Sequence, residues 1–241
     1  MSSHITPSYI QLSNISQSFT LNNAKIILFE QLNLTIRQGQ SYAIMGPSGA
    51  GKSSLLMLMS GLEQPSSGQG SYFKNDVQGQ EEFSLDFLRA DIGFIFQQFH
   101  LLPELTALNN VALPLKLRGD KEAINKAKLM LTKVGLQDRM NHNPNELSGG
   151  EQQRVAIARA LVFEPRFIFA DEPTGNLDEN SAADIANILL SCCKDSNAAL
   201  IMVTHSQVLA NKAEHVYNLS HDGLTQLKNA QGDALKVEVA C

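Results

Sequence analysis

The chain has 241 residues, 43% of them hydrophobic, enough for one sizeable α/β domain or a domain carrying an insert. Nineteen basic against twenty-four acidic residues leave a net charge of −5, and no Lys/Arg-rich run occurs, which argues against a sequence-independent grip on nucleic acid. The start, MSSHITPSYIQL, lacks the basic and apolar regions of a signal peptide, no apolar run approaches the ~20 residues that span a bilayer, and Cys192, Cys193 and Cys241 have neither disulfide nor metal spacing, so a reducing cytoplasm is expected.

In chain order, YIQLSNISQSF and LNLTI read as antiparallel strands at an edge. SYAIM (Ser41–Met45) is the first core strand, apolar as a strand buried on both faces should be. It runs straight into GPSGAGKSS, that is Gly46, Pro47, Ser48, Gly49, Ala50, Gly51, Lys52, Ser53 and Ser54, and then into the helical LLMLMSGL. This is G-x-x-x-x-G-K-[ST] in the strand–loop–helix setting that the motif requires. The glycines let backbone N–H groups converge on phosphate oxygens, and the helix N-terminus adds its dipole. Lys52 is expected to reach the β- and γ-phosphates, and the Ser53 hydroxyl to hold Mg2+. An ordinary glycine turn would match those four fixed positions by chance in roughly 1% of chains this long, so the segment reads as a nucleotide site.

IGFIF (Ile92–Phe96) is a second core strand, and Gln97 follows it. Strand signals then stop until Arg166. In between, Asp120 is expected to cap a helix with Ile124, Ala127, Leu131 and Val134 on one face and Gly135 at its end. A second helix runs from about Ser148 until Pro165 forbids continuation. Its opening, in ELSGGEQQRVAIARAL, spaces Ser148 and Glu151 as a capping box, with Gly149 and Gly150 between them. Capping alone explains Ser148 and Glu151; the glycine pair suggests that a phosphate approaches the backbone there.

RFIFA (Arg166–Ala170) is a third core strand, and it ends in Asp171–Glu172. An acidic pair at a strand end is either a solvated turn or, at the carboxyl edge where α/β sheets bind ligands, catalytic equipment. In the second reading Asp171 holds Mg2+ through water and Glu172 polarises the attacking water. LIMVT (Leu200–Thr204) leads to His205. Gln97 and His205 are each a plain loop residue or, on the same sheet edge, groups for the metal and water and for the γ-phosphate. HVYNLSHDGLTQL reads as a hairpin turning near Asp222–Gly223. The expected architecture is an α/β P-loop NTPase core with a mainly parallel sheet, an N-terminal antiparallel β subdomain and an inserted helical subdomain. Its bounds are about 1–96 and 166–228 for the core, 97–165 for the insert and 229–241 for a tail, all within one 1–241 domain.

Taken together, these motifs resemble the ATP-binding subunit of ABC transporters over nearly the whole chain, in order. GPSGAGKSS is similar to the family's Walker A, Gln97 to its Q-loop, LSGGE to its signature, FIFADE to its Walker B, NLD (Asn176–Asp178) to its D-loop and His205 to its switch histidine. GFIFQQFHLLPELTALNNVALPL and ADEPTGNLD resemble the branch that includes the lipoprotein-release and macrolide-exporter ATPases. The resemblance implies that Phe19 stacks on adenine, and that Asp178 and Ser148–Glu151 serve the nucleotide. It implies a head-to-tail pair in which each ATP lies between one Walker A and the other copy's signature. It also implies a separately encoded membrane permease docking near Phe99–Leu105, hence an ATPase peripheral to the inner face of the plasma membrane. Ser54 stands where the family usually has threonine, with little expected consequence. A P-loop kinase would lack LSGGE, and a regulatory module without turnover would not need Glu172 and His205. A soluble non-transport ABC ATPase of the Fe–S assembly type remains the alternative, with PTGNLD against it.

Overall fold

The computed structural model describes residues 7–21, 24–76, 79–220 and 222–231. The expected tail over 229–241, with Cys241, lies outside the described residues from 232 onward. The chain divides into two compact units, Met1–Ala90 with Ile201–Cys241, and Asp91–Leu200.

In the first unit, β1 (Tyr9–Leu21), β2 (Ala24–Arg37), β4 (Ser67–Asp76) and β5 (Gly79–Ser84) form an antiparallel sheet in the order β2-β1-β4-β5. Tyr9 pairs with Arg37 and Leu12 with Leu34, and register shifts then bend β1 between Leu12 and Ser18. Ile10, Leu12 and Ile15 are buried, as are Leu34 and Ile36 opposite them, which gives the sheet one apolar face. A parallel arrangement begins with β3 (Ser41–Met45), which pairs with β9 (His215–Ser220) from Tyr42–His215 to Met45–Asn218. β10 (Gly223–Lys228) closes against β9 as a hairpin. Helix α1 (Lys52–Met59) follows β3, and α6 (Gln207–Asn211) follows β8 (Ala199–Val203).

In the second unit, β6 (Ile92–Ile95) and β7 (Phe167–Asp171) pair in parallel, Ile92 opposite Phe167. Phe167 to Ala170 and every residue of β8 are buried, so the apolar runs seen in the sequence are strands covered on both faces. Helices α2 (Ala107–Leu117), α3 (Ala123–Lys133), α4 (Gly149–Leu161) and α5 (Glu179–Asp195) complete this unit. Cys192 and Cys193 are buried, free thiols on α5.

Helix α3 begins differently from expectation. Its N-cap is Glu122, without a side-chain cap, and Asp120 lies two residues earlier. The Asp120 carboxylate accepts the Glu122 N–H at 2.8 Å and the Lys126 ammonium at 2.6 Å, a turn that competes with direct capping. Ala123 therefore takes the first buried position, with Ala127, Leu131 and Val134, while Ile124 is half-buried. The end is as expected: Gly135 turns left-handed at φ 76°, its N–H reaches Thr132 O, and Leu136 N–H reaches Leu131 O.

Residues 101–106, which have no regular structure, are folded around one buried amide. Asn110, fully buried on α2, accepts the Leu102 N–H at 2.8 Å and donates to the carbonyls of Leu102 and Leu105 at 3.0 and 2.9 Å. Asn110→Ala leaves these backbone groups unpaired in the interior. We expect it to destabilise the chain by about 2–4 kcal/mol, read as a lower urea midpoint.

Candidate functional site

The phosphate loop is built by a strand that must stop. β3 is buried to Ile44, and Gly46 then leaves it at φ 145°, where an added Cβ would lie 2.2 Å from the Leu219 carbonyl of β9. Gly51 caps α1 in the left-handed region and supplies no side-chain bond, so the first N–H groups of the helix carry no side-chain cap. Lys52 is 7% exposed and folds back, its ammonium donating to the carbonyls of Gly46 at 3.0 Å and Pro47 at 2.8 Å. Ser53 points outward and Ser54 is half-buried. The loop thus holds a cation beneath a curl of backbone donors, which is chemistry suited to an anion.

Two other expected residues lie in this unit. His205 is exposed in a two-residue turn: Thr204 N–H bonds Ile44 O, and Ser206 caps α6. Phe19 is 47% exposed on β1, opposite Ile26 on β2, so it is not a core phenylalanine.

In the second unit, β7 delivers Asp171 half-buried at its end, and Glu172 turns left-handed at φ 47°. The turn is closed by Gly175 N–H to Glu172 O at 3.0 Å and Leu177 N–H to Thr174 O at 3.2 Å. Asp178 then caps α5, accepting the Ser181 N–H at 3.0 Å; bonds from Ser181 hold its carboxyl below the ordinary range. Gln97 joins this turn through Asn176. Its amide donates to Asn176 Oδ1 at 3.2 Å, and Asn176 Nδ2 donates to the Gln97 carbonyl at 2.9 Å.

The opening of α4 is the capping box that the sequence spells. Glu151 N–H donates to Ser148 Oγ at 3.3 Å, and Ser148 N–H to Glu151 Oε2 at 2.8 Å. Arg139 adds a bond to Glu151 Oε1 at 3.0 Å. A Cβ on Gly149 would approach nothing closer than Leu177 Cδ2 at 3.5 Å, and one on Gly150 nothing closer than 3.7 Å. A cleft of about 310 Å³ lies beside this helix end, lined by Ser148, Gly150, Glu151, Arg154, Ser181 and Asp184 among others.

The segment Phe99–Leu105 begins with two left-handed residues, Phe99 and His100. Their carbonyls are held by the Arg159 guanidinium of α4, at 2.8 and 2.6 Å. Leu102 is 42% exposed. Arg159, Asn176 and Gln153, whose contacts follow below, are roles that pattern reading misses because each partner lies far along the chain; Asn110 is missed because its partners, Leu102 and Leu105, lie in a loop without helix or strand pattern.

The ABC transporter family model matches residues 29–175. The chain belongs to the ABC transporter family. This cassette is 42% identical over 217 residues to the lipoprotein-releasing system ATP-binding protein LolD of Rickettsia bellii, covering 89% of this chain and 96% of that one. LolD of Legionella pneumophila is 46% identical over 210 residues, 86% of this chain and 92% of its own. The macrolide export ATP-binding/permease protein MacB of Bdellovibrio bacteriovorus is 43% identical over 90% of this chain, which spans 33% of that protein. Among solved structures, the ATP-binding cassette MJ0796, dimeric in a post-hydrolysis state with ADP and Pi, superposes with TM-score 0.78 at 34% identity over 93% of this chain and all of its own. The cassette is therefore an ATP-binding ABC ATPase with the expected α/β P-loop fold. No helix among the described residues is long and apolar enough to cross a membrane.

The capping box also makes a pH-dependent contribution. The Ser148 N–H, more than Arg139, holds the Glu151 carboxyl below the ordinary 4.5, so its stabilisation is present above that value and lost as pH falls through the lowered one. Gln at this position keeps both bonds without titrating. Urea midpoints from about pH 5 to about pH 3 should fall more steeply for the wild type than for Glu151→Gln.

Proposed function

We propose that this cassette works as a pair of copies in which each bound ATP meets the phosphate loop of one copy and the Ser148–Glu151 helix opening of the other, and that the pair drives a membrane permease. The observation that carries the reading is that the chain itself leaves room for a side chain at Gly149 and Gly150, where a Cβ would make only ordinary contacts, 3.5 Å from Leu177 and 3.7 Å from Ser181. Neither has a positive φ, and neither is crowded within the chain. What requires glycine there is something that approaches from outside. An uncapped phosphate loop and a second helix N-terminus cleared of side chains suit the two ends of one triphosphate. The dimeric MJ0796 cassettes support the pairing. The Lol and macrolide-export relatives support a permease partner over the Fe–S assembly alternative.

In this reading Lys52 neutralises the β- and γ-phosphates, giving up its bonds to the Gly46 and Pro47 carbonyls for phosphate oxygens. Mg2+ supplies charge neutralisation on the phosphates. The donor set fits it: a hydroxyl, a carboxylate and an amide oxygen are hard oxygen donors, and Mg2+ is commonly held by few protein oxygens with phosphate and water. Ser53, Asp171 and Gln97 are the assigned protein ligands. Glu172 orients and polarises the attacking water, and His205 contacts the γ-phosphate. Phe19, exposed on β1, stacks on adenine, and Asp178 contributes from the start of α5. The Phe99–Leu105 segment, shaped by Arg159 and Asn110, receives the permease, most simply for lipoprotein release or export of a drug or peptide. That partner places the cassette peripherally on the cytoplasmic face of the membrane.

Glu172→Gln keeps the side-chain shape and removes the charge that orients water. With Mg·ATP it should lose turnover, retain nucleotide and elute as a dimer in size-exclusion chromatography; a monomer with stoichiometric ATP counts against the shared site.

Gly149→Asp tests the carrying observation. Its carboxylate faces a phosphate held by the other copy, and like charges so placed cost several kcal/mol, at ~1.4 kcal/mol per factor of ten a loss of more than a hundredfold in turnover. ATP binding by the monomer should survive. Mixing Gly149→Asp with Lys52→Ala leaves one intact composite site per heterodimer, so ATPase activity should return. Heterodimers with no activity would contradict the reading.

A further inference from the structure

One fully buried polar side chain has no part in the mechanism above. Gln153 is 0% exposed on α4. Its Nε2 donates at 2.7 Å to the carbonyl of Pro173, the residue directly after Glu172. Its Oε1 is buried and has no hydrogen-bond partner among the described residues. A buried acceptor left unpaired costs free energy, so packing alone does not account for glutamine at this position.

The surrounding geometry supplies a reason. Residues 149 and 153 are one helical turn apart on the same face. That face lies along the turn after β7: Gly149 is nearest Leu177, and Gln153 holds Pro173. Glu172 itself sits in the left-handed region at φ 47°, a conformation that a non-glycine residue keeps only when its neighbours hold it there. The Gly175 N–H fixes the Glu172 carbonyl, and Gln153 fixes the next one.

We propose that Gln153 is a positioning residue for hydrolysis: its amide ties the α4 helix, which opens with Ser148–Glu151, to the strained turn that aims the Glu172 carboxylate. This rests on Glu172 being the water-orienting group. A helix end engaged by nucleotide then bears directly on the turn carrying that carboxylate.

Gln153→Met keeps length and packing while removing the donor. With Mg·ATP and the full chain, kcat should fall about tenfold, while KM and the Kd for ATP stay within twofold, because the phosphate loop is untouched. A purely structural role would move the melting temperature without that split. Gln153→Asn, which keeps an amide one methylene too short for Pro173, should behave as Met does and decides the matter where Met fails to fold. Wild-type kcat in either folded variant, a KM that rises in proportion, or failure of both variants to fold would overturn the proposal. Failure of the Glu172 assignment shows separately, as wild-type turnover by Glu172→Gln.

Discussion

Burial on both faces of the central strands is the constraint from which the rest of this structure follows. β7 and β8 expose almost nothing, and β3 is buried at Tyr42, Ala43 and Ile44. No polar group can leave such a strand sideways without stranding an unpaired donor or acceptor, so chemistry emerges where the strands end. The residues that emerge there are Gly46 after β3, Glu172 after β7 and His205 after β8. Two of these exits demand unusual backbone. Gly46 must be glycine because the neighbouring carbonyl of β9 occupies the space of a side chain. Glu172 adopts a left-handed turn despite having one.

Helix α4 answers the second of these demands. Its second half is largely apolar and buried, and among its polar side chains Gln153, Arg154 and Arg159 hold backbone far away in sequence, Arg154 at the Val134 carbonyl. Gln153 holds Pro173 beside Glu172, and Arg159 holds Phe99 and His100 in the proposed docking segment. Its N-terminus is cleared of side chains at Gly149 and Gly150. One rigid element thus bears on the proposed nucleotide-facing surface, the proposed hydrolytic carboxylate and the proposed permease surface. Burial lowers the Arg159 pKa, and the guanidinium is committed to two carbonyls.

The α/β class, the antiparallel start and the phosphate loop were legible in the sequence because each rests on local chemistry: apolar runs of strand length, a glycine-lysine turn of fixed spacing, and a serine–glutamate pair three apart. The Ser148 box and the Gly135 helix end appear as spelled. Asp120 was misread as a cap because its carboxylate bonds the Glu122 N–H and Lys126 before α3 begins, a choice between two local hydrogen bonds that spacing does not resolve. Helix α2 was hidden by Pro114 inside it, which reads as a breaker.

By itself, the sequence determined which residues are candidates for phosphate chemistry and that they lie at strand ends and helix starts, since both follow from short-range geometry. Only the tertiary structure decided that Gly149 and Gly150 have room for a Cβ, that Gln97 bonds Asn176, and that Gln153 and Arg159 brace distant backbone. These depend on which surfaces come together across scores of residues. A buried polar side chain announces its partner only once the fold has brought that partner to it.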